Sequence, residues 1–218
     1  MKNAQLQHTH LLRLGQIQDD LIPRRMEEPG RPDETPEERD KAKIARFSQY
    51  VLSAEAWFRI ADELGAAMEL LEPQIERFWE CFRADVGVVE KKDSEPPPNH
   101  SLINVHMMLA GFAIENLCKG HLAGHLTWKE RKKVEAGELP KCLDGHKILK
   151  LARRTGMTLS EFERDLLARI TDVISWRGRY PAPLSHDGIV PFPQWDGDIG
   201  RIKTFLQKLR AHVGAKES

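Results

Sequence analysis

Residues 100–126, HSLINVHMMLAGFAIENLCKGHLAGHL, are apolar at most positions and hold no lysine, arginine or acidic side chain before Glu115. A surface helix needs one apolar stripe; a helix this apolar has to be surrounded by other elements. The stretch therefore predicts a central helix and, around it, an all-α bundle. It does not predict a bilayer span, because no apolar run in the chain reaches the roughly 18–20 residues required. The N-terminus lacks the combination of basic start, apolar stretch and small-residue cleavage site that marks a secretory leader. A cytoplasmic protein with no membrane contact is expected.

The other helices are expected from period and punctuation. Trp57, Ala61, Leu64, Met68 and Leu71 form one stripe, and Ile75, Phe78, Trp79 and Phe82 a second, with Pro73 restarting the run. Both tryptophans, Trp57 and Trp79, read as core. DGHKILKLARRTG (144–156) predicts a helix capped by Asp144 and stopped at Gly156, which puts His146 in its first turn, packed or locally hydrogen-bonded. SEFERDLLARITDVISW opens with Ser160 and Glu163 in capping-box spacing and carries Phe162, Leu166, Ile170 and Val173 on one face. A last helix begins near Asp196 or Asp198 and carries Ile199, Ile202, Phe205, Leu206, Leu209 and Val213. Four helices are thus expected from residue 100 onward, with longer ones before. RRMEEPGRPDETPEER (24–39) and GVVEKKDSEPPPN (87–99) read as exposed breaks. The expected division is an N-terminal segment and charged linker (1–36), a helical extension (37–98) and a bundle (99–218).

Formal charge is zero over the whole chain but unevenly spread. Residues 1–99 hold 14 basic and 20 acidic side chains, net −6; residues 100–218 hold 19 and 13, net +6. Such an excess suits a polyanion, the protein's own acidic half, or another subunit. Cys81, Cys118 and Cys142 are odd in number and widely spaced, which reads as reduced thiols rather than a disulfide or zinc framework.

Several polar residues stand in apolar surroundings. Glu115 and Lys119, four apart, share a stripe with Met108, Phe112 and Leu122; they are either a structural ion pair or a pair belonging to a site. Cys118, His121 and His125 share another face, but without the glutamate of HExxH or a fourth ligand they read as ordinary helix-end residues, and no metal is expected. In SWRGRYPAPLSH (175–186), Pro181 and Pro183 end a helix and leave Arg177, Arg179 and Tyr180 at its C-terminal lip, with His186 beyond. That is either a basic helix stop or the edge of a site, where a guanidinium would grip phosphate and a histidine move a proton.

Three of these stretches, in order, resemble the HEPN domain family (higher eukaryotes and prokaryotes nucleotide-binding). AGFAIENLCKG (110–120) looks like its Glu or Asn, three residues, Lys or Arg element on an apolar helix. GHKILKLARRTG (145–156) is similar to its Gly-His helix start, and RYP (179–181) to the Arg-Tyr-Pro of its shorter members. The likeness covers residues 100–213 and implies a four-helix up-and-down bundle with additional N-terminal helices. It implies a metal-independent ribonuclease of a toxin–antitoxin or antiviral defence system, with no cofactor. His186 would help deprotonate a ribose 2′-hydroxyl, Arg179 and Lys119 would steady charge on the phosphate, and Glu115 would orient one of them. Arg177, Tyr180 and Asn116 would bind substrate. Single-stranded RNA, a homodimer assembling the site and an antitoxin protein are the implied partners. Here Tyr180 and Pro181 follow Arg179 where catalytic members often carry Asn or Asp, which implies a second reading: a non-catalytic module that binds a nucleotide or a protein partner.

Overall fold

A computed structural model gives the fold and describes residues 35–87, 101–177 and 194–214. The chain divides into two compact units, 1–43 and 44–218. In the first, helix α1 (Pro36–Leu52) begins at a reciprocal cap: the Thr35 N–H donates to Glu38 Oε2 at 2.8 Å, and the Glu38 N–H donates to Thr35 Oγ1 at 3.3 Å. The stretch 24–39 expected as a linker therefore ends in helix. A cap with proline at the first helical position starts a helix without apolar anchors.

The second unit has no strand among its described residues and is built of helices, as expected. After the end of α1 come α2 (Ala54–Glu69), α3 (Glu72–Asp85), α4 (Ser101–Gly124), α5 (Trp128–Glu135), α6 (Ile148–Arg154), α7 (Glu161–Asp172) and α8 (Asp198–Gly214). A π-helical turn, Val173–Arg177, continues α7. The α2–α3 break lies where Pro73 placed it, with the proline in the first turn of α3. Ser160 and Glu163 form the expected capping box of α7, and α8 starts at Asp198.

Three expectations are corrected. Among the described residues five helices, not four, follow residue 100: α5 buries only Val134 and so carries no apolar stripe, its start being set by a Thr127–Glu130 capping box. Helix α6 begins at Ile148 rather than behind an Asp144 cap, because Gly145 holds φ +81°, a left-handed conformation that no α-helical turn contains. Phe162 and Phe82 are 76% and 40% exposed, so neither extends the buried stripe it was placed on.

Helix α4 touches every part of the core. Near its start Ile103 packs with Ile75 and Trp79 of α3 and Ile199 of α8. Along its middle Met107, Ala110, Ile114, Leu117 and Cys118 join α2, α6, α7 and α8. At its end Ala123 meets Val51, Leu126, Val134 and Leu143. Two glycines let partners come close. A Cβ on Gly111 would sit 2.5 Å from Ile174 Cγ2, and one on Gly120 2.6 Å from the Phe58 ring.

Polar groups are drawn into this core as well. His106 is fully buried, with Nδ1 3.2 Å from Gln194 Nε2. Burial, and then the charge of Lys203, hold its pKa down at about 4 against an ordinary 6.5. The folded state thus resists protonating a group that the unfolded chain protonates readily.

Two outcomes follow. Gly111→Ala gains roughly 1 kcal/mol of helix propensity but overpacks against isoleucine branches close to the backbone, a cost of about 1–3 kcal/mol; urea unfolding should show net destabilisation. His106 contributes stability that is complete above pH 6.5 and is lost as pH falls from there towards 4, by about 3 kcal/mol at the limit. Unfolding free energies of His106→Leu measured across that range should fall less steeply than those of the native chain.

Candidate functional site

Glu115 and Lys119 meet midway along α4, where one helical turn stacks their side chains. Lys119 Nζ donates to Glu115 Oε1 at 2.7 Å, with side-chain exposures of only 8% and 7%. The Trp57 ring of α2 covers the ammonium, its centroid 5.8 Å away. An exposed pair of this kind is worth a few tenths of a kcal/mol; a buried one is held together because neither partner can be left alone.

The other carboxylate oxygen goes to a residue 31 positions along the chain. His146 Nδ1 lies 2.8 Å from Glu115 Oε2. Since a carboxylate only accepts, Nδ1 donates, which leaves Nε2 as the ring's outward nitrogen. No described residue bonds to Nε2, and the side chain is 46% exposed. The approach is built by the loop ahead of α6. Leu143 is fully buried and closes a turn onto the Pro140 carbonyl, Gly145 reverses the chain in the left-handed region, and the Phe112 ring stands edge-on to the imidazole at 6.3 Å. His146 thus lies just before α6, not inside its first turn.

The structure brings together two of the expected site residues, Glu115 and Lys119, and adds His146 to them. Asn116 is half-buried one position on, with one N–H of its Nδ2 donating 2.7 Å back to the Phe112 carbonyl. Arg177 ends the π-helical turn, and its side chain lies outside the described part of the structure. Arg179, Tyr180 and His186 lie outside the described residues. Cys118 is buried, and burial, followed by the nearby charge of Glu115, pushes its thiol up to about 12, far from a reactive thiolate. His121 is buried and His125 exposed; their rings are 4.3 Å apart, and His125 Nδ1 bonds the His121 carbonyl at 2.8 Å. Among the described residues no group of three histidine, cysteine or acidic side chains is placed to hold a metal.

Chemically, the arrangement is a carboxylate that fixes one ring nitrogen of an accessible imidazole, with a cation on its far side. It can orient a proton-transfer group. The only hint of His146 in the sequence was the Gly-His pair; nothing local pointed to Glu115. Compared with protein-family models, with curated proteins and with solved structures, the chain matches none.

The pair's burial can be measured. Glu115→Leu leaves the Lys119 ammonium buried beside Trp57 without its counter-charge and should cost about 3–5 kcal/mol in denaturant unfolding. Glu115→Leu combined with Lys119→Met removes both charges at similar volume and should recover most of that loss.

Proposed function

We propose that this chain acts on a phosphate-bearing ligand at the Glu115 end of α6, as a HEPN-like, metal-independent ribonuclease of a toxin–antitoxin or antiviral defence system. The observation supporting this is the buried Glu115 carboxylate whose two oxygens hold Lys119 at 2.7 Å and the half-exposed His146 at 2.8 Å. It occurs on the apolar helix that carries the resemblance, and the Gly-His stretch of the same resemblance supplies its third member. In this reading Arg179 and Lys119 offset charge on a phosphate, Glu115 positions its neighbours, and His186 takes the 2′-hydroxyl proton. Arg177, Tyr180 and Asn116 are proposed to contact substrate, a cytoplasmic homodimer to assemble the site, and an antitoxin protein to restrain it. Single-stranded RNA is the proposed substrate, because its bases and 2′-hydroxyls are accessible.

The closed Glu115–Lys119 pair favours a second reading. A lysine this buried, already neutralised by its neighbour, suits a fixed framework around a bound nucleotide or docked partner better than a group that follows charge through a reaction. Incubating the purified protein with single-stranded RNA and excess chelator separates the two. The first reading expects cleavage, lowered roughly 100-fold or more in both Arg179→Ala and His186→Ala. The second expects intact RNA together with saturable binding of a nucleotide.

A further inference from the structure

Cleavage of RNA by its own 2′-hydroxyl needs two proton transfers. One proton leaves the attacking oxygen, and another joins the departing 5′-oxygen. Attack and departure are roughly in line on opposite sides of phosphorus, so a base placed at the first oxygen is not in reach of the second. Within one subunit the proposed reading fills only the first position.

We infer that His146 is the general acid at the 5′-oxygen, a role that rests on the ribonuclease reading. Glu115 Oε2 holds Nδ1 at 2.8 Å, which fixes the plane of the ring. Nε2 is left for substrate on a side chain that is 46% exposed, with Phe112 edge-on beside it. Other described histidines are less suited. His106 and His121 are buried, while the ring nitrogens of His125 and His212 that are bonded meet the backbone carbonyls of His121 and Thr155, not a buried carboxylate. In the step itself the 2′-oxygen–phosphorus bond forms and the phosphorus–5′-oxygen bond breaks, its electron pair going to the 5′-oxygen. That oxygen takes the proton from Nε2 of the protonated imidazole, and the 2′-hydroxyl proton passes to the base. The products are a 2′,3′-cyclic phosphate and a 5′-hydroxyl, and His146 regains its proton from water. Glu115 is a positioning residue, since it acts through the ring.

A leaving group that departs without a proton isolates this role. The full-length protein is given a single-stranded oligoribonucleotide in two forms, one ordinary and one with sulfur in place of the 5′-oxygen at one linkage. His146→Ala should lower cleavage of the ordinary linkage roughly 100-fold and leave the sulfur linkage within a few-fold of the native rate. His146→Gln, which keeps a donor for Glu115 but has no proton to transfer, should behave like His146→Ala. Equal loss on both linkages, native activity in His146→Ala, or recovery in His146→Gln would each overturn the role of His146 while leaving the ribonuclease reading intact. Native protein that cleaves neither linkage would overturn that reading, and the inference with it.

Discussion

Helix α4 has to be covered along its length. At 24 residues it is about 36 Å long, and its buried positions run from Ile103 to Ala123. No single neighbour can hide such a rod, so α2, α6, α7 and α8 share its middle while α3 and α5 pack near its two ends. Close approach at Gly111 and Gly120 follows from the same need, because a side chain at either point would hold a partner away. Burial also decides how polar groups on α4 behave. His106 is held neutral beside Gln194, the Cys118 thiol keeps its proton, and Glu115 must find donors within hydrogen-bond distance.

A buried acid is not a site merely because it is buried. Asp198 is buried as well, with no exposed surface, yet its oxygens are taken up by structure: the Trp195 N–H at 2.7 Å, Arg201 at 3.1 Å, and Arg169, whose guanidinium lies 4.2 Å from the Trp195 ring centroid. That network caps α8 and ties it to α7. Glu115 differs in one partner. Lys119 closes one side as completely as the arginines close Asp198, but His146 reaches the surface with a second ring nitrogen that no described residue bonds. The difference between staple and candidate site lies in that imidazole.

What the sequence made legible was local. Ser160 with Glu163, Pro73, Asp198 and the apolar period of α4 each act within a turn or two of themselves, and the structure places all four as read. The misreadings came where distant geometry decided the outcome. Helix α5 has almost no apolar period to find, since a single side chain anchors it. Asp144 has the chemistry of a cap, but Gly145 in the left-handed region turns the chain before any helix can start. Glu115 and Lys119 were found as a pair because they are one turn apart, with burial left open. The His146 contact crosses 31 residues and depends on that glycine turn, so spacing alone held no sign of it. Arg179, Tyr180 and His186, on which the resemblance leaned most, fall outside the described residues.

The uneven charge can now be followed to its partners. Lys203 and Arg210 of α8 pair with Glu72 and Asp62 of α3 and α2. Part of the basic excess of the second half is therefore set against the acidic excess of the first, as one of the three sequence readings allowed. Partly exposed pairs of this kind contribute little stability each, but they neutralise charge where they occur. Helix α8 is thus poorly placed to attract a polyanion. Helix α6 is better placed: Lys147 at its N-cap and Lys150 and Arg153 on it are exposed, close after His146. An approaching phosphate chain would be drawn first to the helix that begins where Glu115 holds the imidazole, so in the proposed reading electrostatic guidance and proton transfer converge on one stretch of chain.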